Sequence, residues 1–467
     1  MLEQFGVRPD SPILSAFQGQ RVRAHQFAQT AKFSTYLFAI VAGPFDCLEP
    51  SAERQQELPE VPMRLYCRRS LTRYAEKMKD DWFRITKASI RFYEEMFDTP
   101  YPFDKLDSVF CPDYAMGAME NVGCITYNDD YIERDEHFTR YKRENIFNTI
   151  AHEISHMWFG NLVTMKWWDD LWLNESFANT VSYMAMDKAQ GMEDVTLAWN
   201  IFIDEQFSGL TADQKDTSHP IATEVVHTGA AQEIFDGISY GKGAAWLHQM
   251  VFMLGEDLLK DGLRAYFAKY KFENTTLAQF IAELSAAAQR AGVDIDVRAW
   301  SDSWLTRAGC SSIRLTYDRD CQTGVISSLK LVQEPYNVSG TPENCLRRQA
   351  INIASLDRQM KVIEVKRVET SDSVAETPIT DAFVGLQEEP VHAFLINYGC
   401  HGYGKFEIDH MTMCALETGL SKIEESRERK SITNIMFDQV KSGGLPACRL
   451  VRAILGSLEA ETAVDVV

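Results

Sequence analysis

Residues 144–175 read ENIFNTIAHEISHMWFGNLVTMKWWDDLWLNE, and they contain His152-Glu153-Ile154-Ser155-His156, an H-E-x-x-H pattern. Ile146, Ile150, Ile154 and Met157 recur at helical spacing, which predicts an amphipathic helix with one apolar stripe facing the core. His152 and His156 then project from one face, one turn apart. Two imidazoles so placed can reach one metal ion at about 2.0–2.1 Å, and four-coordinate zinc is the usual occupant. Glu153 points about 100° further round the helix. Its carboxylate therefore addresses a water beside the metal rather than the metal itself, so the pattern pairs two ligands with one general base.

An H-E-x-x-H pattern also arises by accident, on roughly one chain in a hundred of this composition. Glu175 argues against accident here, because it follows His156 after an eighteen-residue spacer and opens a second helical pattern through Phe177, Val181 and Met184. Glu175 can supply the third ligand. Three protein ligands with one open position form a catalytic arrangement, whereas a structural zinc site is closed by four side chains, usually including cysteine. No cysteine lies between Cys124 and Cys310. The expectation is one Zn2+ per chain, held by His152, His156 and Glu175.

The 467 residues suffice for about three domains, and 45% hydrophobic with 24% charged residues is the composition of a globular protein. A formal net charge of −20 offers no basic excess to displace counterions, which argues against nucleic acid as a partner. No signal-peptide pattern opens the chain, and the apolar run at 36–43 is too short to span a bilayer, so no membrane insertion is expected. Ten cysteines stand singly with no C-x-x-C pair, which reads as reduced thiols and a cytoplasmic location. Asn274 and Asn337 begin glycosylation-type triplets that read as coincidence in that compartment.

Along the chain, the apolar run at 34–43 predicts a buried strand, residues 50–62 a polar linker, and 63–67 a short strand. A long helix follows, with Tyr74, Met78, Trp82, Ile85, Phe92 and Met96 on its apolar side, ended by Pro100 and Pro102. Residues 106–128 begin as a strand and carry the insertion Met116-Gly117-Ala118-Met119-Glu120-Asn121, whose small residues permit a close backbone approach beside a carboxylate. Residues 191–237 read as less regular, with His219 and His227 in structural or solvent-facing roles. Tyr240-Gly-Lys-Gly243 opens a helix through Trp246, Met250 and Leu254, and two more helices fall between 276 and 307. From 312 to 409 the period changes to two, in about seven short strands that include one at 382–386, a β-sandwich pattern. Residues 410–467 return to helix, with amphipathic segments at 431–443 and 447–461.

With these residues assembled, the chain resembles the M1 family of zinc aminopeptidases. The carrying motifs are Gly117-Ala-Met-Glu-Asn121, His152-Glu-Ile-Ser-His156 with Glu175, and Tyr240-Gly-Lys-Gly243. The resemblance implies an α+β, multidomain fold. Residues 1–58 would be the end of an N-terminal β saddle domain, 59–308 a thermolysin-like α/β catalytic domain, 309–409 a small β-sandwich and 410–467 the start of a C-terminal helical domain. It implies zinc on His152, His156 and Glu175, Glu153 as general base, and Tyr240 as oxyanion donor. Glu120 would bind the free α-amine of a peptide substrate, Gly117 and Ala118 would hydrogen-bond its backbone, Met116 would line the pocket for the first side chain, and Met119 would be a further substrate-binding residue. Two departures stand out: Ser176 occupies a position that is glycine in many members, and the family's domains continue beyond both ends, so the resemblance implies a truncated chain. A zinc endopeptidase and a non-catalytic scaffold are the competing readings; oligomeric state is left open.

Overall fold

The computed structural model describes residues 25–50, 61–134, 139–231, 235–320, 322–336, 345–380, 383, 391–463 and 466. The linker read at 50–62 lies almost wholly outside the described residues, as do Asn337 and most of the strand read at 382–386. Residues 1–33 form one unit, of which 25–33 are described and carry no regular secondary structure; residues 34–467 form the other.

The second unit is an α+β structure built on several sheets. Its first sheet has the order β1-β2-β3-β5-β4, from Phe45–Leu48 (β1), Met63–Arg68 (β2), Leu106–Cys111 (β3), Ala118–Met119 (β4) and Cys124–Asn128 (β5). β2, β3 and β5 run parallel, and β4 returns antiparallel along β5 with Ala118 opposite Tyr127 and Met119 opposite Thr126. Helix α1 (Thr72–Phe97) connects β2 to β3 as a crossover and lays Trp82 against Phe110 and Tyr127. α1 stops before the prolines: Asp98 takes a left-handed conformation at φ 48° and closes the last turn.

Helices α2 (Arg140–Ser155) and α3 (Leu171–Lys188) lie next to one another and to α1. Thr139 caps α2 by accepting from the Lys142 amide. Buried Glu144 then ties it down by pairing with Arg140 at 2.7 Å and accepting from the Thr196 and Leu197 amides at 3.0 and 2.7 Å. Helix α4 (Ala198–Asp213) occupies the stretch read as irregular, so that reading is corrected. Its buried residues, Ile201, Phe202, Ile203, Gln206 and Leu210, cover more than one face, so no single apolar stripe shows in the sequence. Next come α5 (Gly243–Leu254), α6 (Glu256–Tyr270), α7 (Leu277–Arg290) and α8 (Val297–Leu305), all feeding one core with α1–α4.

The strand read at 34–43 is also corrected. Thr35–Leu37 is a single 3-10 turn that buries Leu37, while Phe38 and Ile40 are exposed. A continuous apolar run signals a strand only where a neighbour pairs with it. Here the segment's bonds go instead to a loop: the Leu37 carbonyl accepts from the Val122 amide and from Asn121 Nδ2.

After residue 310, seven strands among the described residues form two sheets. Glu376–Pro378, Ile326–Pro335, Ser311–Arg319 and Lys405–Phe406 make a four-stranded sheet, and Val362–Glu369, Ala350–Leu356 and Ala393–Ile396 a three-stranded one. Their inward residues, among them Ile313, Leu331, Ile353 and Phe394, share a separate core. Helices α9 (His410–Gly419), α10 (Ser426–Lys441) and α11 (Ala447–Ser457) follow; α9 precedes the two segments that the sequence predicts. No described helix is long and apolar enough to cross a membrane.

Candidate metal centre and active site

His152 lies in the last turn of α2 and His156 caps it, so the helix itself sets their one-turn offset. Glu175 comes from α3, one turn after its start at Leu171 rather than at its opening. His152 Nε2 and His156 Nε2 stand 3.0 Å apart, and Glu175 Oε2 lies 3.3 Å from the first and 3.7 Å from the second. All three side chains are buried.

The opposite nitrogen of each imidazole is occupied. His152 Nδ1 donates to Asn179 Oδ1 at 2.9 Å, and His156 Nδ1 donates to the Phe159 carbonyl at 3.0 Å and to Asn174 Oδ1 at 3.2 Å. A proton held on Nδ1 leaves a lone pair on Nε2, and two such lone pairs facing across 3.0 Å repel unless a cation lies between them. Two ligands about 2.0–2.1 Å from a tetrahedral ion stand roughly 3.3 Å apart, so the donor set fits a metal ion.

Charge points the same way. Burial opposes a positive His156, but the carboxylates of Glu120, Glu175 and Glu153 outweigh it and raise its pKa to about 10. Burial likewise opposes a charged Glu175, yet His156 and His152 hold it well below the usual carboxylate range. Three carboxylates converging on two imidazoles call for positive charge, which a proton on His156 or a divalent metal in its place can supply. Glu153 is not part of the donor cluster. It is buried, with Oε2 free of any hydrogen bond, and burial pushes its pKa well up, His156 opposing and Glu120 and Glu175 reinforcing.

Glu120 is brought to the same pocket by β4, the edge strand of the first sheet. The Gly117 carbonyl accepts from the Asn128 amide at 2.8 Å, and a Cβ at Gly117 would come within 3.0 Å of the Tyr131 hydroxyl. Glu120 is buried and held from three sides: Asn161 Nδ2 donates to its carbonyl at 2.8 Å, Asn174 Nδ2 lies 3.5 Å from Oε1, and the Tyr36 hydroxyl bonds its carboxylate. Asn174 thus touches both His156 and Glu120. A Cβ at Gly160 would meet Asn174 Oδ1 at 2.6 Å, and φ at Gly160 is 127°, so only glycine fits there. Met116 is half-exposed and Met119 partly buried beside this strand.

Tyr240 lies on a π-helical turn, Ile238–Lys242, that leads into α5. Its ring stacks over His152 with centroids 6.5 Å apart, and its hydroxyl donates to Glu175. The glycines flanking Lys242 have steric reasons. A Cβ at Gly241 would strike the Glu205 carbonyl and the backbone of Gly209 in α4, and a Cβ at Gly243 would overlap Ser176 Oγ. Ser176 is therefore built into the turn: its hydroxyl donates to the Ser239 carbonyl at 2.6 Å. Lys242 pairs with Asp213 at 2.8 Å, both fully buried, and donates to the Gly309 carbonyl at 3.0 Å. Asp236 accepts from the Ile238 and Ser239 amides at 2.9 and 3.1 Å and from His219 Nε2 at 3.0 Å. His219 and His227 stand in the structural or solvent-facing roles read for them: His219 bonds Asp236, and His227 is exposed with Nδ1 accepting from the Ala230 amide at 3.1 Å.

The structure thus draws His152, Glu153, His156, Glu175, Glu120 and Tyr240 into one pocket. Tyr36, Asn174, Asn179 and Asn161 join them unannounced by the sequence, because an asparagine beside a motif carries no mark of the atom it will bond.

Comparison with known proteins is consistent with this geometry. The Peptidase family M1 domain matches residues 82–304. An Aminopeptidase N of Streptomyces lividans is 32% identical over 447 residues, 95% of this chain and 50% of that protein. Aminopeptidase M1 of Arabidopsis thaliana is 34% identical over 301 residues, 64% of this chain and 32% of that protein. The human Aminopeptidase N is 32% identical over 320 residues, 66% of this chain and 31% of that protein. The chain spans half or less of the length of these curated relatives. A likeness that runs along nearly all of the chain, with the family's domain falling on the residues that build the His–His–Glu cluster, makes this chain a member of peptidase family M1.

Proposed function

We propose that this chain carries the catalytic site of a zinc-dependent aminopeptidase that removes single residues from the N-termini of peptides. One observation carries the reading: a buried His152–His156–Glu175 donor set meets an unpartnered Glu153 oxygen and a buried Glu120 carboxylate in one pocket. His152 and His156 through Nε2, with the Glu175 carboxylate, would hold one zinc ion, whose Lewis acidity polarises the scissile carbonyl and the attacking water. Glu153 takes the proton of that water and passes it to the leaving amine. The Tyr240 hydroxyl, resting on Glu175, turns to donate to the oxyanion that develops at the carbonyl. Glu120 pairs with the α-ammonium, and Tyr36 and Asn174 keep its carboxylate in place. The free edge of β4 receives the peptide backbone at Gly117 and Ala118 as an added strand, with Met116 and Met119 beside the first side chain.

Within the α+β fold, the proposed division is a saddle-domain end at 1–58, a thermolysin-like catalytic domain at 59–308, a β-sandwich at 309–409 and the start of a helical domain at 410–467. The nine described cysteines, all unpaired, support a reducing compartment, the cytoplasm.

Hydrolysis of a free-amine dipeptide substrate against its N-acetylated form tests the reading, because only the first offers Glu120 a cation. Strong preference for the free amine is expected. Equal rates would establish an endopeptidase, and folded protein that binds no metal would establish a scaffold.

A further inference from the structure

A second cavity, of about 280 Å³, opens where α3, α4 and α5 meet the loop before His401 and the start of α10. Its walls include Trp199, Phe202 and Phe252, with Asp187 and the Lys188–Glu256 ion pair also on the lining, and three side-chain nitrogens there have no hydrogen-bond partner: His248 Nδ1, His401 Nδ1 and Arg427 Nε. His248 is more than nine-tenths buried, at 8% exposure.

Buried nitrogens normally find acceptors, and each one left without costs free energy. Here the rings are held firmly even so. The His248 imidazole stacks on Trp199 at 5.1 Å and meets Phe202 edge-on at 4.8 Å, while His401 lies flat on Phe252 at 3.8 Å. The two imidazoles are 4.9 Å apart. Burial, their mutual proximity and Arg427 keep His248 well below the ordinary histidine pKa, and burial with Arg427 and Arg367 lowers His401 to about 4. Both rings are therefore neutral at pH 7 and offer hydrogen bonds, and Arg427 supplies the positive charge. The nearest carboxylate to Arg427 Nε, Glu428 Oε1, is 3.8 Å away and already accepts from the Gly399 amide at 2.7 Å.

Aromatic walls that would enclose a flat apolar body, with two imidazole nitrogens and one guanidinium nitrogen left without partners on the lining, make a small-molecule site of the usual kind: mostly apolar, with a few polar groups. We infer that this cavity, apart from the His152–His156–Glu175 pocket, binds a small aromatic carboxylate, with the ring among Trp199, Phe202 and Phe252 and the carboxylate on His248, His401 and Arg427. The ligand would lie against α3, the helix that also bears Glu175.

Calorimetric titration of the full chain with 3-phenylpropionate tests this, with and without EDTA, since a carboxylate can also bind a metal centre. A one-to-one isotherm that EDTA leaves unchanged is expected, weakened at least tenfold by Arg427→Gln and by His401→Leu, and at least tenfold weaker for the neutral 3-phenylpropanamide. Circular dichroism checks that each variant is folded; if one is not, the other and the amide decide. No binding heat, an isotherm abolished by EDTA, an isotherm that the folded variants leave unchanged, or equal affinity for acid and amide would overturn the assignment.

Discussion

His152 and His156 each give their Nδ1 to an oxygen, Asn179 Oδ1 for the first and Phe159 O with Asn174 Oδ1 for the second, whereas His248 and His401 leave theirs without a partner. Both pairs are packed within the same molecule, and α3 borders both. The first pair faces three carboxylates, and its environment favours positive charge so strongly that His156 is raised to about 10. The second faces aromatic rings and a guanidinium, and burial holds His401 at about 4. One residue type thus has opposite charge preferences in two places, set by what stands at its other nitrogen and around its ring. A histidine with its Nδ1 satisfied is aimed; one without is still waiting for a partner.

The largest expected effect comes from breaking the first pair. His156→Ala should lose the metal, from about one ion per chain to none by elemental analysis, and hydrolysis with it. Glu153→Gln should keep the metal and lose turnover by several orders of magnitude, because the amide accepts no proton while the donor set stays intact. Retention of near-full turnover in Glu153→Gln would remove it as the base.

Next in size is Tyr240→Phe, which takes away the hydroxyl that rests on Glu175. Steady-state kinetics should show turnover slowed by roughly a hundredfold to a thousandfold, about 2.7–4 kcal/mol of transition-state stabilisation, with little change in KM. An effect confined to KM would place the hydroxyl in substrate binding instead.

The distinction between aimed and waiting imidazoles is sharpened by Asn179→Ala, which would leave His152 Nδ1 in the condition of His248 Nδ1. Metal affinity measured by competition with a chelator should weaken by about 10- to 100-fold, with the ligands themselves untouched.

The smallest effect is on stability. His401 takes its proton near pH 6.5 when unfolded but only near pH 4 when folded, so the unfolded chain binds more protons between those values. Its contribution is complete above pH 6.5 and lost as pH falls towards 4, at roughly 1.4 kcal/mol per pH unit. Urea unfolding at pH 7 and pH 5 should show a drop that His401→Asn reduces by about 2 kcal/mol.

The metal donors were legible because two sit on one helix, where spacing in sequence is spacing in space, and the third recurs at a fixed distance along the next. Tyr240-Gly-Lys-Gly243 was legible as a motif, though its reason was not: Gly241 yields to the backbone of α4 and Gly243 to Ser176, neighbours that only the packing reveals. Tyr36 was read as part of a strand, and its bond to Glu120 depends on a 3-10 turn lying against a loop more than eighty residues on. α4 escaped because its apolar residues face several ways, while α1, with Tyr74, Met78, Trp82 and Ile85 at helical spacing, was read from its periodicity; α6, though Leu259, Leu263 and Phe267 share one face, was not read.

The contact between Ser176 and Gly243 also constrains the order in which the two positions can change. With serine at 176, a methyl group at 243 overlaps its Oγ and meets its Cβ at 3.0 Å, so Gly243→Ala alone drives the hydroxyl off the Ser239 carbonyl and should cost stability. Replace Ser176 by glycine first and the nearest remaining neighbour of that methyl is Trp172 Cε3 at 3.5 Å, an ordinary contact. The path through Ser176→Gly therefore meets no steric cost at 243, while the path that begins with Gly243→Ala does, and the order of the two changes matters.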